Sequence, residues 1–166
     1  MHKTAFDNAA KFRTDHVKQS GLKVLDVGSL DVSNQSKKYG SLRELFFDCE
    51  YVGMDICPGK NVDVVLEGKT FPFDDEIFDV IVSTSCFEHD TTFWITFSEM
   101  VRVLKKGGLI YLNAPSAGYV HRYPVDCYRF YPDFANGLAE WQKLELLEQY
   151  IDQNCFWKNN VGVFRK

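Results

Sequence analysis

Short apolar runs alternate along this chain with longer stretches whose apolar residues recur at helical spacing. Residues 23–27, 51–55, 62–66, 78–82 and 109–112 each read as a strand, bounded by glycine, proline or polar turn residues. Residues 4–19 are polar with Phe6, Ala9, Ala10, Phe12 and Val17 interspersed. They predict an amphipathic helix stopped at Ser20-Gly21. A polar loop over 29–36 leads to a second helix predicted over 37–46, with Leu42, Leu45 and Phe46 on one face. A third helix is predicted from Asp90-Thr91-Thr92. It carries Phe93, Phe97, Met100, Val101 and Leu104 and is closed by Lys105-Lys106-Gly107-Gly108, with cations at its negative end. Two final strands are predicted over 143–150 and 160–164, as an antiparallel last pair.

Strands alternating with amphipathic helices predict an α/β fold: a mostly parallel, seven-stranded sheet with helices on both faces. The whole of 1–166 is expected to form one domain. Its parts would be an N-terminal helix (1–20), a core (22–114), an irregular loop (115–132), and a C-terminal helix with the last strands (133–166). The loop is rich in Tyr, Arg, His and Pro, which is the composition of a binding loop rather than of a core element.

Two strand ends carry the first chemical signal. Asp26-Val27-Gly28 closes the first strand in a tight turn. Asp55 ends the second strand roughly thirty residues on, where a βαβ unit places its next strand. In a nucleotide-binding sheet an acid at that point holds the two ribose hydroxyls, so an adenosine-containing cofactor is expected.

Bulk properties narrow the classes. The chain has 166 residues, 45% of them hydrophobic, which is enough for a sizeable core. Its formal charge of -4 gives no reason to expect nucleic acid as a partner. No apolar run approaches the length that spans a bilayer, and no secretory signal is visible, so no membrane is expected. The 5 cysteines are odd in number and lack a C-x-x-C pair, which favours reduced thiols in a cytoplasmic protein. No metal-ligand spacing is evident, and a metal-free mechanism is expected.

The ordered motifs resemble class I S-adenosylmethionine-dependent methyltransferases, in the small-molecule branch. Asp26-Val27-Gly28 resembles the first motif and Val52-Gly53-Met54-Asp55 the second. Glu67-Gly68 with Phe71-Pro72-Phe73 resembles the third-strand region, and Phe78-Asp79-Val80-Ile81 the fourth. Phe87-Glu88-His89 and Arg102-Val103-Leu104-Lys105-Lys106-Gly107-Gly108 follow in order. The first loop departs from the pattern: Leu30 and Val32 stand where the family usually has glycine.

The resemblance implies S-adenosylmethionine as cofactor and a small, polar metabolite as methyl acceptor. Asp55 would hold the ribose and Ile56 cover the adenine. Glu67 and Gly68 would meet the adenine edge. Asp26, Gly28 and Ser29 would line the methionine end, and Thr84 and Ser85 would border the sulfonium. His89 and His121 are the candidate bases. His121, Arg122, Tyr123 and Tyr128 are the candidate acceptor contacts. Plainer readings stand beside these. Asp26 also reads as a structural carboxylate capping the loop, Glu67 as an exposed acid, and the His121 segment as a surface loop packed by its aromatics. A non-catalytic S-adenosylmethionine-binding protein is the alternative reading, supported by the glycine-poor loop. A nicotinamide-dependent oxidoreductase is a third, and the missing G-x-G-x-x-G weakens it.

Overall fold

A computed structural model describes residues 2–32 and 41–166. Its sheet has seven strands in the order β3-β2-β1-β4-β5-β7-β6. These are β1 (Lys23–Val27), β2 (Glu50–Asp55), β3 (Val64–Val65), β4 (Phe78–Thr84), β5 (Leu104–Pro115), β6 (Glu145–Ile151) and β7 (Asn159–Arg165). The first five run parallel, and β7 is antiparallel to both β5 and β6. The helices are α1 (Lys3–His16), α2 (Leu42–Leu45), α3 (Phe93–Val103) and α4 (Phe134–Gln142).

Alternation along the strands sorts side chains to two faces. Leu25, Val27, Ile81, Ile110, Leu112 and Phe164 point to one side and pack with Phe97, Met100 and Val103 of α3 and Ala135 and Leu138 of α4. Their neighbours Val24, Val80, Val82, Tyr111, Val161 and Val163 point to the other and pack with Ala9 and Phe12 of α1 and Leu42 and Phe46. Because the central strands are covered on both faces, they read as continuous apolar runs rather than alternating ones.

Besides the third strand, which is Val64–Val65 rather than 62–66, three expected elements differ from the structure. Helix α1 ends at His16, so residues 17–19 are not helical. The helix expected over 37–46 is confined, among the described residues, to Leu42–Leu45, and positions 37–40 lie outside them. Ser41 caps its start, and the Glu44 side chain reaches back to the Ser41 backbone. That reciprocal Ser-x-x-Glu pair marks a helix start by itself. The third correction concerns Lys105-Lys106-Gly107-Gly108. These residues belong to β5, not to the end of α3. Leu104 already pairs with Phe78, and the register shifts between Phe78 and Val80. Gly107 has φ +78, and a Cβ on Gly108 would lie 2.9 Å from the Asp79 carbonyl oxygen. The glycine pair forms an irregularity within the strand.

Arg102, near the end of α3, holds the segment between β3 and β4. It donates to the Phe71 and Phe73 carbonyls at 3.0 and 2.9 Å, and pairs with Glu99 and Asp75. Glu99 in turn accepts from the Phe71 amide at 2.8 Å. Arg102→Ala removes the donor that the Phe73 carbonyl, the Phe71 carbonyl and Glu99 share, the last two keeping one backbone amide each, and is expected to lower unfolding free energy by about 1–3 kcal/mol in urea titrations. Arg102→Lys should recover less than half of the loss, since an ammonium cannot span the fork.

Candidate active site

The parallel register puts the carboxyl ends of β1, β2 and β4 side by side. Val27 pairs with Met54, and Asp26 with Val82. Gly28, Asp55 and Thr84 therefore stand at one level on neighbouring strands. This is the edge where ligands lie in open α/β sheets.

At Gly28 the chain turns back onto β2. The amides of Gly28 and Ser29 both donate to the Met54 carbonyl, at 2.9 and 3.1 Å. Gly28 has φ +84, and a Cβ there would meet Cys86 Cβ at 2.5 Å. Both the backbone angle and the contact require glycine. The loop then descends onto the second strand's end. Leu30 N donates to Asp55 Oδ2 at 3.0 Å, and Cys57 N to Asp55 Oδ1 at 3.2 Å. Asp31 N donates to the Lys60 carbonyl, and Lys60 Nζ reaches the Asp31 carboxylate at 2.6 Å.

Leu30 occupies a place where glycine was expected, and the space comes from the opposite loop. A Cβ on Gly59 would lie 2.4 Å from Leu30 Cδ1. Gly53 serves a related purpose, since a Cβ there would meet the Asn61 carbonyl at 2.0 Å. The glycines that let the two loops close are thus on and after β2 as well as after β1.

Asp26 is buried and accepts from the Tyr51 hydroxyl at 2.6 Å. Burial pushes its carboxyl up to about 7, against the lowering effect of the Tyr51 hydrogen bond, and nearby Asp55 raises it further. Ser29 is buried and donates to the Asn61 carbonyl at 3.3 Å. Ile56 is 59% exposed directly after Asp55. Glu67 and Gly68 are exposed beyond β3. Thr84 Oγ1 is buried without a hydrogen-bond partner among the described residues. Ser85 adopts φ +53, its amide bonded to the Asn113 carbonyl at 2.9 Å.

A second cluster forms after β4. Residues Phe87–His89 make a single 3-10 turn. Glu88 is 1% exposed and its Oε2 has no partner among the described residues. Burial pushes its carboxyl up to about 8. The Glu88 carbonyl accepts from Cys127 N at 2.7 Å, tying this turn to the loop that follows β5. His89 Nδ1 lies 2.6 Å from the Val125 carbonyl, so that nitrogen carries the proton. Burial lowers the His89 pKa. The His121 ring stands 4.8 Å from that of His89, and Tyr123 is 5.7 Å from His89.

The sequence-derived acceptor contacts separate here. His121 and Tyr123 join His89. Tyr128 instead packs on Phe93, and its hydroxyl lies 3.2 Å from the Thr91 carbonyl. Arg122 is exposed. Arg129 is held by Asp126 at 2.6 and 2.8 Å and by the Tyr119 carbonyl at 2.7 Å. Its guanidinium holds the Asp126 carboxyl far below the usual range. Glu88 and Cys86 are not among the site residues expected from the sequence, although both lie within or next to the Phe87-Glu88-His89 motif.

A family described as a methyltransferase domain matches residues 25–112, and the chain belongs to it. It is an S-adenosylmethionine-dependent methyltransferase, and S-adenosylmethionine is its cofactor. No curated protein sequence matches the chain. Solved structures share the fold at low identity. A Galdieria sulphuraria protein assigned as a sarcosine dimethylglycine methyltransferase is 17% identical, with TM-score 0.70 over 98% of this chain and 85% of that one. The Burkholderia thailandensis 1,6-didemethyltoxoflavin-N1-methyltransferase, with 1,6-didemethyltoxoflavin and S-adenosylhomocysteine bound, is 14% identical, with TM-score 0.71 over 98% and 78%. A Haloferax volcanii protein assigned as a methyltransferase, in complex with the Trm112 methyltransferase activator, is 18% identical, with TM-score 0.67 over 96% and 86%.

The residues at the strand ends fit the cofactor. Each Asp55 oxygen keeps an acceptor site beyond its backbone bond, the Gly28 turn has no side chain of its own, and the Thr84 hydroxyl awaits a partner. No helix among the described residues is long and apolar enough to cross a membrane.

Asp26 supplies a test of this geometry. Its folded pKa lies above the ordinary 3.8, so the folded state retains the proton longer than the unfolded chain. Its contribution to stability should fall as pH rises from about 4 to about 7, by roughly 1.4 kcal/mol per unit at most, and stay level above. The facing groups are Tyr51, Asp55 and Arg43. Asp26→Asn keeps an acceptor for Tyr51 and removes the titration. Urea unfolding should show the variant near wild type at pH 4.5 and more stable than wild type at pH 8. A constant difference across that range would contradict the buried placement.

Proposed function

We propose that this chain methylates a small, polar acceptor held beneath the loop over 116–132, by direct displacement from the cofactor bound at the ends of β1, β2 and β4. The observation that carries the reading is the half-enclosed polar cluster of Glu88, His89, His121 and Tyr123 next to the strand-end site. The loop over it is compact and fastened at both ends. Phe130 N donates to the Pro115 carbonyl at 2.8 Å, the Ser116 hydroxyl donates to the Phe130 carbonyl, and Asn160 Nδ2 donates to the Tyr131 carbonyl at 2.7 Å. A short tethered loop suits a metabolite better than a polymer. The net charge of -4 likewise argues against nucleic acid.

In this reading Asp55 accepts from the two ribose hydroxyls while keeping its bonds to Leu30 N and Cys57 N. The exposed Ile56 covers one adenine face, and Glu67 and Gly68 meet the ring's polar edge. Gly28 and Ser29 bring backbone close to the methionine portion, with Asp26 behind them. Thr84 and Ser85 border the sulfur. The cofactor supplies an activated methyl group on a sulfonium, and the chain's work is to align the acceptor with it. Alignment alone accounts for a barrier reduction of the order of 7–11 kcal/mol. Where the acceptor is a hydroxyl, His121 takes its proton in the metal-free protein, with His89 as the neighbouring candidate base. Residues 22–114 then serve the cofactor and 115–132 the acceptor within one domain. The described cysteines are all unpaired with one another, in keeping with a cytoplasmic setting.

Calorimetry with S-adenosylhomocysteine tests the cofactor half. Wild type should bind in the micromolar range, of the order of -8 kcal/mol. Asp55→Ala should weaken binding by more than tenfold, and Glu67→Ala by less, since Asp55 loses charge-assisted bonds of about 1.5–3 kcal/mol each. Equal affinities for wild type and Asp55→Ala would misplace the ribose.

Turnover on a panel of small hydroxyl- and amine-bearing acceptors tests the other half. His121→Ala and Tyr123→Ala should lower it at least tenfold while S-adenosylhomocysteine affinity stays within twofold. Collapse of cofactor affinity in a folded variant would move this loop into the cofactor site.

A further inference from the structure

Glu88, His89 and His121 are brought together from segments more than thirty positions apart. One ligand-type atom of each lies within 4.8 Å of the others. Three features of the cluster go beyond proximity. First, His89 donates its Nδ1 proton to the Val125 carbonyl, which leaves the Nε2 lone pair free. That Nε2 is 3.6 Å from Glu88 Oε1. Second, His121 Nδ1 lies 3.4 Å from Asp126 Oδ2, an ion-pair distance at one edge of the ring. Arg129 Nη2 also approaches His121 Nδ1, at 3.5 Å, but is already engaged by Asp126 and the Tyr119 carbonyl. Backbone carbonyls and carboxylates behind imidazoles are the supports that orient histidines toward a metal. Third, Glu88 is 1% exposed, and its Oε2 has no hydrogen-bond partner among the described residues. A buried carboxylate oxygen left unpaired costs free energy, and something must offset it.

We propose that Glu88, His89 and His121 bind one divalent transition-metal ion, of the zinc or iron(II) class, at the base of the loop over 116–132. Two imidazoles and one carboxylate with open positions are a donor set those ions accept. Bonds of about 2.0–2.2 Å hold tetrahedral donors about 3.3–3.6 Å apart, so the His89–Glu88 pair is already at ligand spacing. His121 sits on the tethered loop and closes the remaining ångström. The open positions take water or an oxygen of the acceptor. That last point alone rests on reading this loop as the acceptor site, whereas the binding of the ion does not.

Cobalt(II) is the probe, because its visible absorption reports ligand type. Chelator-treated protein, with no acceptor present, should bind one cobalt per chain at micromolar concentration. The spectrum should be that of nitrogen and oxygen ligation, without thiolate charge transfer, and zinc should displace the cobalt. Glu88→Gln, which preserves shape, and His121→Ala should each weaken cobalt binding at least tenfold while thermal unfolding shows a folded chain. Absence of binding at millimolar cobalt would overturn the proposal. So would a thiolate band pointing to exposed Cys57 or Cys127, or equal binding by wild type and the His89→Ala/His121→Ala double variant. Failure of the acceptor reading shows separately, as turnover indifferent to this loop with cobalt binding intact.

Discussion

The reversal at Gly28 is the constraint on which the chemistry of this molecule depends. One carbonyl, that of Met54, accepts from two successive amides, and this pair of hydrogen bonds pulls the chain off β1 and over the end of β2. Only then can Leu30 reach the Asp55 carboxylate and Asp31 reach Lys60. The reversal also fixes the far side of the site, because Cys86 packs where a Gly28 side chain would be. Burial pushes the Cys86 thiol up, so it serves as a filler that stays neutral. One backbone turn thereby sets the spacing between the β2 end and the β4 end.

The second half of the site is organised differently. It relies on one part-buried ion pair, Asp126 with Arg129, surrounded by aromatic rings. The Arg129 guanidinium lies 5.9 Å over Trp157, and His121 stands 4.5 Å from the same ring. A bidentate pair at 2.6 and 2.8 Å with Asp126 only 2% exposed is strong in geometry, and breaking one partner would strand the other. Arg129 is therefore a scaffold of the loop rather than a grip for an anion.

Much of this was legible from residue order. The strand ends at Val27 and Asp55, the polar loop after β5 and the antiparallel last pair followed from apolar runs and turn residues. Strands buried on both faces leave an unambiguous mark. For the short helix before β2, the Ser41 and Glu44 capping pair stands in the sequence as a start signal, and positions 37–40 of the expected helix lie outside the described residues. Lys105 to Gly108 imitated a helix end, since cations followed by glycines suit both a C-terminus and a strand irregularity. What decides between them is pairing with Phe78, which is a long-range fact. The same limit hid the space that Gly59 gives Leu30, and the meeting of Glu88 with His121. Spacing along a chain carries no trace of contacts made by loops that fold back on each other.

The loop over 116–132 leaves the sheet and returns to nearly the same point. Pro115, Ser116, Phe130, Tyr131 and Asn160 make its clasp, with the Ser116 and Ala117 amides also bonded to the Trp157 carbonyl at 3.1 and 3.0 Å. A closed excursion of this kind is a cassette. Apart from the Asp126–Arg129 pair that braces it, its interior can vary in sequence without altering the register of β5 and β7 beneath it. The β1 and β2 ends of the sheet are fastened by other contacts, whereas the turn after β4 is tied to the loop through the Cys127 amide and the Val125 carbonyl. The architecture thus lets the loop drift under selection while the β1 and β2 ends stay constant.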